Sequence, residues 1–211
     1  MRLKISRKLT LFSVCMAAIT VLLSCLFLGV IEQAKSNARW TAHTNRVLAL
    51  LDQSILGMVN QETGLRAFLL AGEDEFLEPY HLGGTMFEEA ITELRTRTLD
   101  NPRATRLSDD INQLGSSWRS EHAETAISLM RNPATRERGR AMEIEGAGKS
   151  QMDGIRDLVN RFRDMEVGLL DERGSALEDA LNLGTLASWA GILSAIIFAI
   201  GGSFLLSRDI T

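Results

Sequence analysis

The sequence predicts an all-α protein: an up-down-up-down four-helix bundle whose first and last helices are continuous with two transmembrane helices. Three observations predict it. Two runs, Leu9–Ile31 and Ala180–Ser207, contain no charged residue, and each exceeds the roughly 20 apolar residues a helix needs to cross a bilayer core. Between them, hydrophobic residues recur at alternating three- and four-residue steps, the spacing of one packed helix face. No useful stretch alternates with period two, as a half-buried strand would.

The runs divide the chain. Residues 1–8 form a short N-terminus, 9–31 a first span, 32–179 a polar segment, 180–207 a second span and 208–211 the beginning of a further segment. Arg2, Lys4, Arg7 and Lys8 precede the first run with no acidic residue among them, which places the N-terminus in the cytoplasm. Two crossings return the C-terminus there, with Arg208 directly after the second run. Residues 32–179 then face the periplasm or the outside of a bacterial inner (plasma) membrane. A cleaved signal peptide is the alternative for the first run, but its length exceeds the usual 7–15-residue apolar region of such a peptide, roughly speaking. Leu22-Leu23-Ser24-Cys25 resembles a lipoprotein processing site only in part, Leu23 fitting poorly. Neither alternative changes the side on which residues 32–179 lie.

Composition narrows the function. The formal net charge of −4 gives no basis for nucleic-acid binding, which usually shows a basic patch or stripe. Cys15 and Cys25 both lie in the first run, about 15 Å apart along a helix and too far to pair. The polar segment therefore has no disulfide, and packing must hold it together.

The first stripe reads Leu48, Leu51, Ile55, Met58, Glu62, Leu65 and Leu69. No break separates it from the first run, so one helix is expected to leave the membrane and continue to about Leu70. Ala71-Gly72 ends it, glycine being favoured just past a helix C-terminus. A second helix from about Asp74 carries Phe76, Leu77, Tyr80, Phe87, Ile91 and Leu94, with Gly83-Gly84 expected to weaken it. Asn101-Pro102 is a cap followed by a first-turn proline. It opens a third helix with Leu107, Ile111, Leu114, Trp118, Thr125 and Leu129. Asn132-Pro133 repeats the signal. The fourth and longest stripe, Met152, Ile155, Val159, Phe162, Glu166, Leu169, Arg173 and Ala176, runs into the second span without a break.

Two blocks carry a resemblance: Glu62-Thr63-Gly64-Leu65-Arg66-Ala67-Phe68-Leu69-Leu70-Ala71-Gly72 and Phe76-Leu77-Glu78-Pro79-Tyr80. The chain here resembles the type-3 CHASE sensor domain (CHASE3), whose members read E-T-G-x-R-G-Y/F-L-L-T-G and then Y/F-L-x-P-Y. Its motif residues are thus Glu62, Thr63, Gly64, Arg66, Gly72, Pro79 and Tyr80. Trp40, His43-Thr44, Val47-Leu48, Asp100-Asn101-Pro102, Gly148-Lys149, Met152-Asp153, Ile155-Arg156, Glu166, Leu169-Leu170 and Arg173 extend the likeness over about residues 38–175. Ala67, Ala71 and the pair Gly83-Gly84 depart from the pattern.

The resemblance implies an extracytoplasmic four-helix sensor of bacterial receptors, such as chemotaxis receptors, histidine kinases and cyclic-dinucleotide enzymes. It implies a homodimer in the membrane and a small-molecule or protein ligand in the periplasm, with no ligand-binding residue carried over. Leu205-Leu206-Ser207-Arg208-Asp209-Ile210-Thr211 looks like the start of a HAMP linker. The chain is accordingly expected to be a receptor input half. The alternative is a membrane-tethered interaction or scaffold module without signalling output.

Glu62 interrupts an apolar stripe with Arg66 one turn later, and Glu166 and Arg173 interrupt the fourth. A buried lone charge is costly. These four are expected to form a structural polar layer, pairing Glu62 with Arg173 or Glu166 with Arg66, and the rival use is a pocket for a small charged ligand. Gly146-Ala147-Gly148-Lys149-Ser150 is not a phosphate loop, because the required earlier glycine is replaced by Glu143 and no strand precedes it. Its glycines are expected to loosen the fourth helix. His43, His81 and His122 form no metal-spaced motif, and Trp40 suits an interfacial anchor or packing residue. No nucleophile–base pair or carboxylate dyad stands out, so no catalytic residue, metal site or cofactor is expected.

Overall fold

A computed structural model describes the backbone of residues 5–210 and the side chains of Arg7 and residues 10–201. The side chains of Arg2, Lys4 and Lys8, and the HAMP-like end from Leu205 to Thr211, lie outside those described. Among the described residues all regular structure is helical. Helix α1 spans Ile5–Ala71, a 3₁₀ turn spans Asp74–Leu77, and α2 spans Glu78–Arg97. Helix α3 (Pro102–Ser117), a π-helical turn (Trp118–Ala123) and α4 (Glu124–Arg131) follow one another directly. Helix α5 covers Arg136–Ile144 and α6 Ala147–Ile210.

The breaks have local causes. Gly72 ends α1 at φ 83°, and its N–H donates to the Phe68 carbonyl at 2.7 Å. A residue with a Cβ resists that left-handed backbone. The Asn101 side chain accepts from the N–H groups of Arg103 and Ala104 at 3.1 and 3.3 Å, capping α3 with Pro102 in its first turn. Asn132 accepts from Ala134 N–H at 3.0 Å. The chain there forms the short helix α5, which the four-helix reading does not contain. Gly146, at φ 81°, separates α5 from α6, so the glycines near 146 mark a helix boundary rather than a loosened helix.

The chain divides into two compact units. The first, Ala42–Leu169, has a continuous core that includes Leu50, Met58, Phe68, Trp118, Met152 and Phe162. Within it α1 and α6 run antiparallel. As Thr44, Asp52 and Glu62 ascend one helix, their partners Glu166, Arg163 and Arg156 descend the other. Phe76 is 38% exposed and stays outside this core. The second unit comprises Met1–Thr41 and Leu170–Thr211, where Leu22, Phe27, Leu193 and Ile197 are exposed. Two helices, over Thr10–Ala71 and Ala147–Gly201, are long and apolar enough to cross a membrane. An outward apolar face is what lipid would cover.

Alpha-helical packing is closest where glycine replaces a side chain. A Cβ on Gly57 would lie 2.7 Å from the Gly83 carbonyl oxygen, and one on Gly64 would lie 2.6 Å from the Tyr80 nitrogen. Gly83 thus serves the α1–α2 crossing, and Gly83 and Gly84 sit inside an unbroken α2.

Candidate functional site: a polar layer in the helix bundle

Glu62 is largely buried on α1, 8% exposed, because the same face that carries Met58 and Leu65 turns inward. Its carboxylate takes two guanidinium groups. Arg66 Nη2, one turn on, lies at 2.8 Å, and Arg156 Nη2 of α6 lies at 3.3 Å. Arg66 Nε also donates to Glu143 Oε1 of α5 at 2.5 Å. The other Glu143 oxygen faces His122 Nε2 at 3.3 Å. A chain of charge-assisted contacts therefore runs from α6 through α1 and α5 to the π turn.

His122 is 4% exposed. Its ring packs beside Trp118, with centroids 6.0 Å apart, and occupies the space that a Cβ on Gly148 would need. The hydrogen bond from His122, reinforced by Arg66, holds the Glu143 carboxyl below the usual carboxylate range against the opposing effect of burial. The bond to Glu143 in turn raises Arg66.

Around this layer lie further cross-helix contacts. Arg119 of the π turn donates to Gln61 Oε1 at 3.1 Å and pairs with Glu88 of α2. The Tyr80 hydroxyl donates to Glu124 Oε1 of α4 at 2.5 Å, and burial followed by this carboxylate pushes the phenol pKa up. The two blocks that carry the family resemblance meet at this point, since Gly64 lies against the Tyr80 backbone. Thr63 faces solvent, and Pro79 lies in the first turn of α2.

The four residues expected to form one polar layer separate into three places. Glu62 and Arg66 are joined. Glu166, 4% exposed, accepts a hydrogen bond from Thr44 at 3.2 Å. Arg173 stacks its guanidinium 4.0 Å from the Trp40 ring centroid, a cation–π contact. Neither expected pairing, Glu62 with Arg173 or Glu166 with Arg66, forms. The antiparallel register is the reason. Glu62 on α1 stands opposite Arg156 on α6, whereas Glu166 stands opposite Thr44. Sequence reasoning missed His122, Glu143 and Arg119. His122 follows Trp118 by one helical step of four, a signal that could have marked it as inward.

Among the described residues no cluster of three or more His, Cys, Asp or Glu side chains has metal-holding geometry. The arrangement shown is one of connected charges between helices, suited to fixing register and to altering it when one member is displaced.

The family pattern described as CHASE3 domain matches residues 37–176. The chain belongs to the CHASE3 family. CHASE3 is an extracytoplasmic sensor domain of signalling receptors. No curated protein and no solved structure matches the chain. The matched residues take in all of the Ala42–Leu169 unit and the Trp40–Arg173 stack, so the polar layer described above lies wholly within the CHASE3 domain. Glu62, Gly64, Arg66 and Tyr80 are among the residues at which α1 meets its neighbours.

Proposed function

We propose that this chain is the input half of a transmembrane signal receptor. Its bundle, residues 32–179, senses a cue outside the cytoplasm. It passes a helix displacement through the spans at 9–31 and 180–207 to a cytoplasmic output module reached through the HAMP-like residues 208–211. The output is that of a methyl-accepting chemotaxis receptor or a sensor histidine kinase, the chain works as a homodimer, and both termini lie in the cytoplasm.

One observation carries this reading: α1 and α6, which contain the apolar runs, are each a single helix that also supplies core residues to the sensor unit. Inside that unit they touch through Thr44–Glu166, Asp52–Arg163 and Glu62–Arg156. Packed helices shift by about 1–2 Å in receptors and allosteric proteins generally, by sliding between discrete packings. A ligand that favours one packing biases the equilibrium by its difference in affinity.

The test uses the whole chain with Cys15 and Cys25 replaced by serine, joined in frame to a HAMP linker and a histidine kinase of known autophosphorylation. Thr44→Cys with Glu166→Cys lets oxidation tie α1 to α6. Autophosphorylation is expected to change on oxidation and to return on reduction. Equal autophosphorylation in the fully cross-linked and reduced forms would overturn transmission by helix displacement.

A further inference from the structure

We propose that a groove between α3 and α6 in the sensor unit binds a free amino acid with an apolar side chain. Arg103 and Arg106 hold its carboxylate, and Asp110 and Asp164 hold its ammonium group. The groove has a volume of about 600 Å³ and is lined by these four residues with Leu107, Arg161 and Met165.

Its charges stay apart although helical spacing would let some of them pair. Where the sequence offers an opposite charge three or four residues away, the helices generally use it. Arg66 pairs with Glu62, Arg97 with Glu93, Arg140 with Glu137 and Lys149 with Asp153. In the groove, Arg106 and Asp110 stand at the same favourable spacing and do not pair. Arg161 turns back to Asp157 at 2.6 Å and leaves Asp164 without it. Among the described residues, the side chains of Arg103, Arg106, Asp110 and Asp164 make no ion pair or hydrogen bond.

The geometry fits a zwitterion better than a simple anion. Arg103 and Arg106 are one turn apart on the first two turns of α3, so their guanidinium groups share a face. The positive end of the helix dipole adds to them there. Asp110 lies one turn further along α3, and Asp164 faces the groove from α6. An anion alone would meet both carboxylates, whereas an amino acid presents an opposite charge to each set. Leu107 and Met165, both half-buried, give the groove apolar surface for an aliphatic side chain, methionine being well suited to irregular contacts. A molecule held between α3 and α6 would favour one relative position of those helices. This consequence, though not the binding itself, rests on the receptor reading above.

The test is calorimetric titration of the full chain in lipid nanodiscs with L-leucine and L-methionine. N-acetyl-leucine and leucine methyl ester, each lacking one charge, and dileucine, whose charges lie further apart, serve as comparisons. Leucine or methionine is expected to bind, with each single-charge analogue weaker by about tenfold or more, as loss of a charge-assisted hydrogen bond implies. Arg106→Gln and Asp164→Asn should each weaken binding comparably without moving the melting temperature, since both side chains are exposed. The inference is overturned if neither amino acid binds, if both variants bind as the parent does, or if dileucine binds in place of the amino acids. Binding in an oxidation-insensitive kinase fusion would overturn transmission and leave the site standing.

Discussion

A methyl group on Gly64 would sit 2.6 Å from the Tyr80 backbone nitrogen, too close for the α1–α2 crossing to remain as it is. Gly64→Ala is therefore expected to destabilise the protein by about 1–3 kcal/mol, the range of overpacked sites, read as a lower melting temperature. Gly168→Ala on α6 is its control: nothing lies within 4 Å of the added carbon, and helix propensity should stabilise by about 0.5–1 kcal/mol. Glu62 calls for a different estimate. Removing one member of a buried pair costs ~3 kcal/mol or more when it strands the partner. Here Arg66 retains Glu143 and Arg156 retains Asp153. Glu62→Ala should accordingly cost only about 2 kcal/mol, near the value of a hydrogen bond to a charged group, and thermal denaturation measures it. Glu143 adds a pH dependence. Its folded pKa lies below its ordinary value of 4.5, chiefly through His122 and then Arg66, so its contribution is full above that value and lost as pH falls through the depressed one. Glu93, lowered to about 2 by Arg46 and Arg97, and Asp153, lowered by Lys149 and Arg156, act in the same direction. The melting temperature should fall as pH drops from about 4.5 toward 2, and less steeply in Glu143→Gln, whose side chain has no charge to lose.

At the level of elements, the π turn explains where the third stripe was legible and where it was not. The stripe Leu107, Ile111, Leu114 and Trp118 points inward or to the edge of the core, but Thr125 is exposed. The buried residues beyond Trp118 are His122, Ala123, Ala126, Ile127 and Met130. One extra residue per turn in the π segment rotates the following helix face by about 100°, and a pattern of threes and fours cannot anticipate it. Apolar spacing and caps made α1, α2, the start of α3 and α6 readable. The glycine breaks at 72 and 146 were readable unequally, because only Gly72 follows an apolar stripe that must stop. Salt-bridge partners were the least legible, since register between α1 and α6 is a property of the packed pair. The π turn also predicts a tolerance. Deletion of the exposed Ser120 removes the extra residue and leaves Ile111 and Met130 on one α-helical face, so cooperative melting should persist. Deletion of the exposed Thr92 in α2 has no such residue to absorb it. It should turn Leu94 away from the core and abolish the cooperative transition, as circular dichroism on heating would show.

For the whole molecule, sidedness follows from the charge that flanks each apolar run rather than from the helices themselves. Arg2, Lys4, Arg7 and Lys8 stand before the first run without an acidic residue, and basic residues near a span are retained on the cytoplasmic side. Lys35 and Arg39 are the only basic residues in the ten after that run, against four before it, and Arg208 follows the second run directly whereas the nearest basic residue ahead of it is Arg173. Both flanks therefore favour the same arrangement, with the CHASE3 domain outside and the two ends inside. Alkaline phosphatase is active only outside the cytoplasm, and green fluorescent protein exported unfolded stays dark. Inserted at the Asn132-Pro133 turn, where the chain leaves α4 and nothing in the core is displaced, phosphatase should be active. Fluorescent protein fused to either end should be bright. Inactive phosphatase at the turn together with dark fusions at both ends would reverse the topology. The sensor would then face the cytoplasm, and the charge argument would fail with it.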